Sequence, residues 1–225
     1  MADFIKVGRK NKGKMFKDRI DAALQLAEKL KIFKGKDVVV LAIPKGGLPV
    51  GAIIARALNA PLDVVLSKKI GHPLNKEYAL GAVSLENMVL NKHLDIPKRY
   101  IMEETKNIRK KLQKRYDLYH KGYPPIALQD KTIIIVDDGV ATGNTLKVTA
   151  ELVHGQHPKK TIVAIPVAPL GAVQNLEDSN FIDKVICLET PPNFRAVGQF
   201  YGEFDQVSEA EAIQLLEELN GVVDQ

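Results

Sequence analysis

Residues 133–145 read IIIVDDGVATGNT. An apolar, β-branched run of strand length ends in two adjacent acids, Asp137 and Asp138. A turn-prone stretch follows, in which Thr142, Gly143, Asn144 and Thr145 are suited to capping a helix. Carboxylates alone suit a metal or sugar hydroxyls, whereas amides and hydroxyls at a helix start suit a phosphate. A phosphorylated sugar needs both. The alternative is structural, with the acids capping the next helix, but paired carboxylates at a buried strand end are costly without shared donors or a cation.

Working outward, DVVVLAIP (37–44), KTIIIVDD (131–138), KTIVAIPVA (160–168) and FIDKVICLE (181–189) are strand-like, and LPVGAIIARAL (48–58), TLKVTAELVHG (145–155) and PLGAVQNLED (169–178) are helix-like. Alternation of strand and helix in short units predicts an α/β fold with an open, mainly parallel twisted sheet and helices on both faces. RIDAALQLAEKLKIF places Ile20, Ala23, Leu24, Ala27 and Leu30 at helical spacing and predicts an N-terminal helix within 14–33. PLDVVLSKKI (61–70) reads as a further strand and AVSLENMVLNK (82–92) as a hairpin turning at Glu86 and Asn87. DIPKRYIMEETKNIRKKLQKRYDLYHKG predicts a long charged helix starting at Asp95 and Pro97 and stopping at Gly122, with a solvated basic face. The tail, 189–225, holds four aromatics and a last helix near Ser208 with Glu211 as capping partner. One domain over 1–225 is expected, with a core at about 37–188 and a small hood from the chain ends.

The 225 residues, 45% hydrophobic and 26% charged, suit an ordinary soluble core. A net charge of +5 suits anionic ligands but falls short of a nucleic-acid signature. A single cysteine, Cys187, excludes an intramolecular disulfide framework, and its setting in VICL reads as an inert strand thiol. Without an apolar signal core or a bilayer-length apolar run, the expected place is the cytoplasm and no membrane is expected as partner. His154 and His157 sit in a helix-ending loop without metal-like partners, and His72 is a doubtful site residue. The sequence gives no oligomeric state; a homodimer is merely the commonest outcome.

Ligands of open parallel sheets bind beyond the carboxyl ends of the strands. Loops leaving AIP, SKK and IVDD are therefore expected to share one crevice. After Ile43, PKGG combines Lys45 with Gly46 and Gly47, which either allow a ligand close to the backbone or make a tight turn.

IIIVDDGVATGNT resembles the phosphoribosyl-pyrophosphate (PRPP)-binding motif of the type I phosphoribosyltransferases: an apolar strand, two acids and a TG-x-T loop. PKGG resembles that family's pyrophosphate loop, and Lys68 and Lys69 the basic start of its flexible catalytic loop. The resemblance spans roughly 37–188 and implies roles. Asp137 and Asp138 would bind the ribose hydroxyls. Gly139, Val140, Ala141, Thr142, Gly143, Asn144 and Thr145 would form the phosphate loop, with 140–145 holding the 5-phosphate. Lys45, Gly46 and Gly47 would grip pyrophosphate at a loop whose peptide is often cis or otherwise non-standard. Mg2+ would be held mainly by ligand oxygens, reaching Asp137 and Asp138 indirectly through ribose hydroxyls or water. Segment 71–77, GHPLNKE, is the candidate lid.

The implied activity is transfer of the 5-phosphoribosyl group to a nitrogenous base. Lys45, Lys68 and Lys69 would stabilise the departing pyrophosphate. Two departures stand out. Ala141 replaces the acid that hypoxanthine- and guanine-using relatives carry, and Gly139 replaces an aliphatic residue, which would loosen the turn. In NFRAVGQFYGEF (193–204), Phe194, Arg195, Phe200 and Tyr201 are the candidate base-binding residues, or else pack the tail onto the core; FRAVG-like tails occur in an uncharacterised subgroup of that family. The alternatives are a regulator that binds PRPP or a nucleotide without turning it over, its basic helix Lys106–Lys121 meeting nucleic acid, and a nucleotide or sugar-phosphate hydrolase.

Overall fold

The computed structural model describes residues 15–76, 78–91, 95–120 and 124–220. In chain order the main elements are α1 (Arg19–Leu30), β1 (Val38–Ala42), α2 (Gly47–Leu58), β2 (Leu62–Val64), β3 (Lys68–Gly71), β4 (Ala79–Val83), β5 (Met88–Leu90), α3 (Lys98–His120), β6 (Thr132–Val136), α4 (Asn144–His154), β7 (Lys160–Val167), α5 (Leu170–Glu177), β8 (Lys184–Glu189) and α6 (Glu209–Asn220). Five strands form a parallel sheet in the order β2-β1-β6-β7-β8, and β3, β4 and β5 form a second, antiparallel sheet.

The unbroken apolar strands follow from helices on both faces. Along β1 and β6, Val38, Val40, Ala42, Ile134 and Val136 join the core built with α1, α2, α3 and α6. The intervening Val39, Leu41, Ile133 and Ile135 join the core shared with α4 and α5. Two cores therefore grip one sheet, and each fully buried Val or Ile contributes roughly 1.5–3 kcal/mol relative to exposure. The expected doubly covered parallel sheet is present.

Several elements depart from expectation. Ile20 and Leu24 are more than half exposed, and α1 instead buries Ala22, Ala23, Leu26, Ala27 and Leu30. Small alanines on this face allow close packing against α2. Residues 61–70 are two strands rather than one, because after Val64 the chain crosses through 65–67 to the second sheet, where Lys68 and Lys69 are exposed. The hairpin at Glu86 and Asn87 is present, with Ser84 N–H donating to Asn87 O. α3 turns Ile101, Thr105, Ile108 and Leu112 inward; the expected stop at Gly122 and the end of the basic stretch at Lys121 lie outside the described residues. Ser208 Oγ accepts from Glu211 N–H, capping α6. No helix among the described residues is long and apolar enough to cross a membrane.

Residues 15–17 meet residues 200–203. Phe16 pairs with Tyr201, Met15 and Phe16 N–H donate to Phe200 O, and Gly202 and Glu203 N–H donate to Phe16 O and Lys17 O. Phe16, Ala22, Val167, Phe200 and Tyr201 make a third small core over the ends of β7 and β8.

Candidate functional site

β1 and β6 are neighbours in register, Ala42 beside Val136, so the loops that leave them emerge side by side. Ile43 N–H donates to Val136 O at 2.9 Å, and Gly47 N–H closes back on Ile43 O at 3.0 Å. The Pro44–Lys45 peptide is cis. A Cβ at Gly46 would collide with the Asp138 carboxylate, lying 2.7 Å from its Cγ. PKGG and the acid pair thus lie against one another, and a side chain at Gly46 would displace the Asp138 carboxylate. Lys45 is exposed at this mouth.

Asp138 N–H donates to Asp137 Oδ1 at 2.9 Å, which folds the two acids against one another. Burial, and then the Asp138 charge, hold the Asp137 carboxyl well above the usual range. Burial also raises Asp138, opposed by Arg19, whose Nε donates to Asp138 Oδ2 at 2.8 Å. Burial therefore disfavours the charged form of both acids, and among the described contacts the Arg19 guanidinium offsets it at Asp138.

Beyond the acids, Gly139 adopts φ +146° and Val140 N–H donates to Val167 O. A Cβ at Gly139 would lie 2.7 Å from Val197 Cγ1 of the tail and 3.0 Å from both Val167 Cγ1 and Val167 O. Gly139 thus makes room for the folded-back tail, and the expectation of a merely loosened turn gives way to this close packing. α4 opens with Gly143 as its N-cap at φ +75°, and Ala141, Thr142, Asn144 and Thr145 are exposed around it. First-turn amides of a helix lack intrahelical acceptors and favour anions. Asn175, from α5, buttresses this loop: its Nδ2 donates to Thr142 O and Asn144 Oδ1, and its Oδ1 accepts from Lys147 Nζ.

Lys68 and Lys69 open β3, in the antiparallel sheet beyond the end of β2. Segment 71–77 forms the turn between β3 and β4, with Glu77 outside the described residues. Hydrogen bonds tie its described residues together. His72 N–H donates to Tyr78 O, His72 Nδ1 accepts from Leu74 N–H, and Tyr100 Oη, on α3, donates to Gly71 O at 2.7 Å. Leu74 at the tip is 92% exposed.

Among the tail residues, Phe200 and Tyr201 are 7% and 1% exposed and belong to the hood core. Tyr201 stacks with Phe204 and donates its hydroxyl to Asp138 O at 2.6 Å; burial pushes its phenol well above the ordinary value. Both rings pack within the hood core. Phe194 is half-buried against Phe200, and Arg195 is exposed. Burial pushes the Cys187 thiol up to about 12, matching an inert thiol. His154 packs on Phe181.

Among the described residues no three His, Cys, Asp or Glu side chains converge as a metal cage. Two adjacent carboxylates suit a hard cation that keeps its waters and takes most of its oxygens from a phosphate ligand. Sequence reasoning missed Arg19, Lys147 and Asn175. Arg19 had one weak local signal, a cation in the first turn of a helix, where the macrodipole disfavours it.

The model of the phosphoribosyl transferase domain matches residues 10–204. Two Mycobacterium tuberculosis proteins, "Putative phosphoribosyl transferase MT0597" of strain CDC 1551 / Oshkosh and "Putative phosphoribosyl transferase Rv0571c" of strain ATCC 25618 / H37Rv, are each 38% identical over 211 residues, 91% of this chain and 47% of theirs. The chain spans about half the length of these curated relatives. The crystal structure of TT1426 from Thermus thermophilus is 36% identical and superposes with a TM-score of 0.81, covering 91% of this chain and 98% of that one. With the domain match covering most of the chain, and with a parallel sheet whose neighbouring strand ends carry PKGG and the acid pair, the chain belongs to the phosphoribosyl transferase family.

Proposed function

We propose that the protein transfers the 5-phosphoribosyl group of PRPP to a nitrogenous base and releases pyrophosphate. The observation that carries this reading is the contact between Gly46 and Asp138. It sets a glycine loop with an exposed lysine against a carboxylate pair, one short turn before a helix N-terminus. Pyrophosphate, ribose diol and 5-phosphate need those three environments in that order.

In this reading Asp137 and Asp138 accept hydrogen bonds from the ribose 2- and 3-hydroxyls. Backbone amides of 140–145 with the Thr142 and Thr145 hydroxyls hold the 5-phosphate. Asn175 keeps that loop in shape. Gly46 and Gly47 admit pyrophosphate close to the backbone while Lys45 supplies charge. Asp137 and Asp138 would hold magnesium only indirectly, and its charge would help neutralise the leaving group.

As the C1–O bond to pyrophosphate breaks, pyrophosphate leaves with the electron pair and positive charge builds on the ribose ring. The base nitrogen forms the new C1–N bond and gives up its proton to solvent. Lys45, Lys68 and Lys69 stabilise the negative charge developing on pyrophosphate. Closure of the β3–β4 turn excludes water, which would otherwise hydrolyse the sugar. The acceptor approaches beneath the tail, with Phe194 and Arg195 offering an aromatic face and a charge. Ala141 argues against hypoxanthine and guanine.

Incubation with PRPP, magnesium and single bases, followed by mass spectrometry, tests the proposal. A new nucleoside monophosphate that depends on the base is expected, and is lost in Asp138→Asn. PRPP consumed equally with and without any base would instead indicate a hydrolase.

A further inference from the structure

We propose that Arg19 is a positioning residue for sugar recognition: by holding one carboxylate oxygen of Asp138, it presents the other to the ribose. This rests on the reading of Asp137 and Asp138 as the ribose site and deepens it.

Three restraints fix the Arg19 guanidinium. Its Nε donates to Asp138 Oδ2 at 2.8 Å, its Nη1 donates to Asp205 O at 2.7 Å, and its carbon lies 3.8 Å above the Phe204 ring. The two charged side chains are only 13% and 12% exposed, so water screens the pair weakly. A planar fork held this way loses little freedom when it orients a carboxylate, which a lysine ammonium would do less well.

Asp138 is gripped from three directions. Arg19 comes from α1, Tyr201 Oη reaches its backbone oxygen from the tail, and Gly46 lies against the carboxylate, nearer to the Oδ2 that Arg19 holds than to Oδ1. Phe204 underlies Arg19 and also stacks on Tyr201, so the two grips share one aromatic floor. Arg19 stands in the first turn of α1, next to the N-cap Asp18, where a helix disfavours a cation. Local rule-breaking of this kind is expected at functional or strained positions. The consequence is that the start of α1 and the tail segment 201–205 together set the geometry of one carboxylate.

A mere structural staple and a positioning residue differ in which ligands notice the loss. Pyrophosphate carries no ribose, so its binding should be indifferent to how Asp138 is aimed. Calorimetric titration of the full-length wild type, Arg19→Ala and Arg19→Lys with PRPP, ribose 5-phosphate and pyrophosphate, each with magnesium, separates them. Arg19→Ala is expected to weaken both sugar phosphates tenfold or more while leaving pyrophosphate within twofold, with Arg19→Lys intermediate. In Asp138→Asn, adding Arg19→Ala should weaken PRPP no further.

Equal losses for all three ligands, or additive losses in the double variant, would overturn the inference. If Arg19→Ala does not fold, Phe204→Leu removes the aromatic floor and must show the same selective pattern, smaller in size; its absence overturns the proposal equally. A wild type that binds pyrophosphate but neither sugar phosphate would instead overturn the ribose-site reading, and the role of Arg19 with it.

Discussion

Replacing Gly139 by alanine tests whether the phosphate loop and the tail are packed as one unit. Two separate penalties follow from the structure. At φ +146° an L-residue occupies a region that glycine alone adopts readily, a strain of about 1–3 kcal/mol. The new methyl would also lie 2.7 Å from Val197 Cγ1 and 3.0 Å from Val167, an overpacking of about 1–3 kcal/mol. Together they amount to about 2–6 kcal/mol. For a chain of this size each kcal/mol moves Tm by roughly 2–4 °C, so a fall of at least about 4 °C is expected by calorimetry or circular dichroism. Adding Val197→Ala removes the shortest clash but leaves the backbone strain and Val167. The double variant should recover about 1 kcal/mol, or roughly 2–4 °C. A Gly139→Ala Tm within about 1 °C of wild type, or no recovery on adding Val197→Ala, would refute the packing argument.

Asp138→Asn should weaken PRPP binding by about 1.5–3 kcal/mol, roughly 10- to 150-fold, since charge-assisted hydrogen bonds are lost; an unchanged isotherm would remove the ribose contact. Lys69→Ala should lower kcat more than it raises KM, and equal effects on both would mean that it binds ground state and transition state alike. Tyr201→Phe leaves the buried Asp138 carbonyl without its 2.6 Å donor and should destabilise the fold by about 1–3 kcal/mol, read by denaturant titration. At the edge of the sheet, His120 Nε2 lies 2.6 Å from Asp63 Oδ1 with both side chains buried. Burial lowers the His120 pKa, but the hydrogen bond and charge of Asp63 outweigh it and leave the value raised. The folded state therefore binds this proton more tightly than the unfolded state. Its stabilisation is complete below the unfolded value of about 6.5 and is lost as pH rises through the folded value. The stability gap between wild type and His120→Gln should shrink over that rise, and a gap constant from pH 5 to 9 would contradict the assignment.

The parts of the fold legible in sequence were those whose burial is uniform. β1, β6 and the centre of β7 are apolar at successive positions because helices cover both faces of the sheet. Where burial is lopsided the reading slipped. In α1 both Ile20 and Ala22 fit a helical stripe, and only the small core of Phe16, Val167, Phe200 and Tyr201 decides for the smaller residue. The break between β2 and β3 carries no glycine or proline, so a change of sheet at 65–67 left no local mark. The acid pair and PKGG were legible because their residue types announce their chemistry. Arg19, by contrast, gains its meaning from a partner 119 positions away, and Asn175 from a loop 33 positions away. Tyr201 was noticed as an aromatic, but its hydroxyl bond to Asp138 depends on how the ends fold together.

The most direct test of the central claim is a phosphorus NMR time course of PRPP with magnesium, the protein and a mixed pool of nucleobases. Free pyrophosphate appearing together with a new 5-phosphate ester, only when bases are present, is the predicted result, and omitting bases singly would identify the acceptor. PRPP signals that broaden but persist would contradict transfer and make the protein a binder of PRPP.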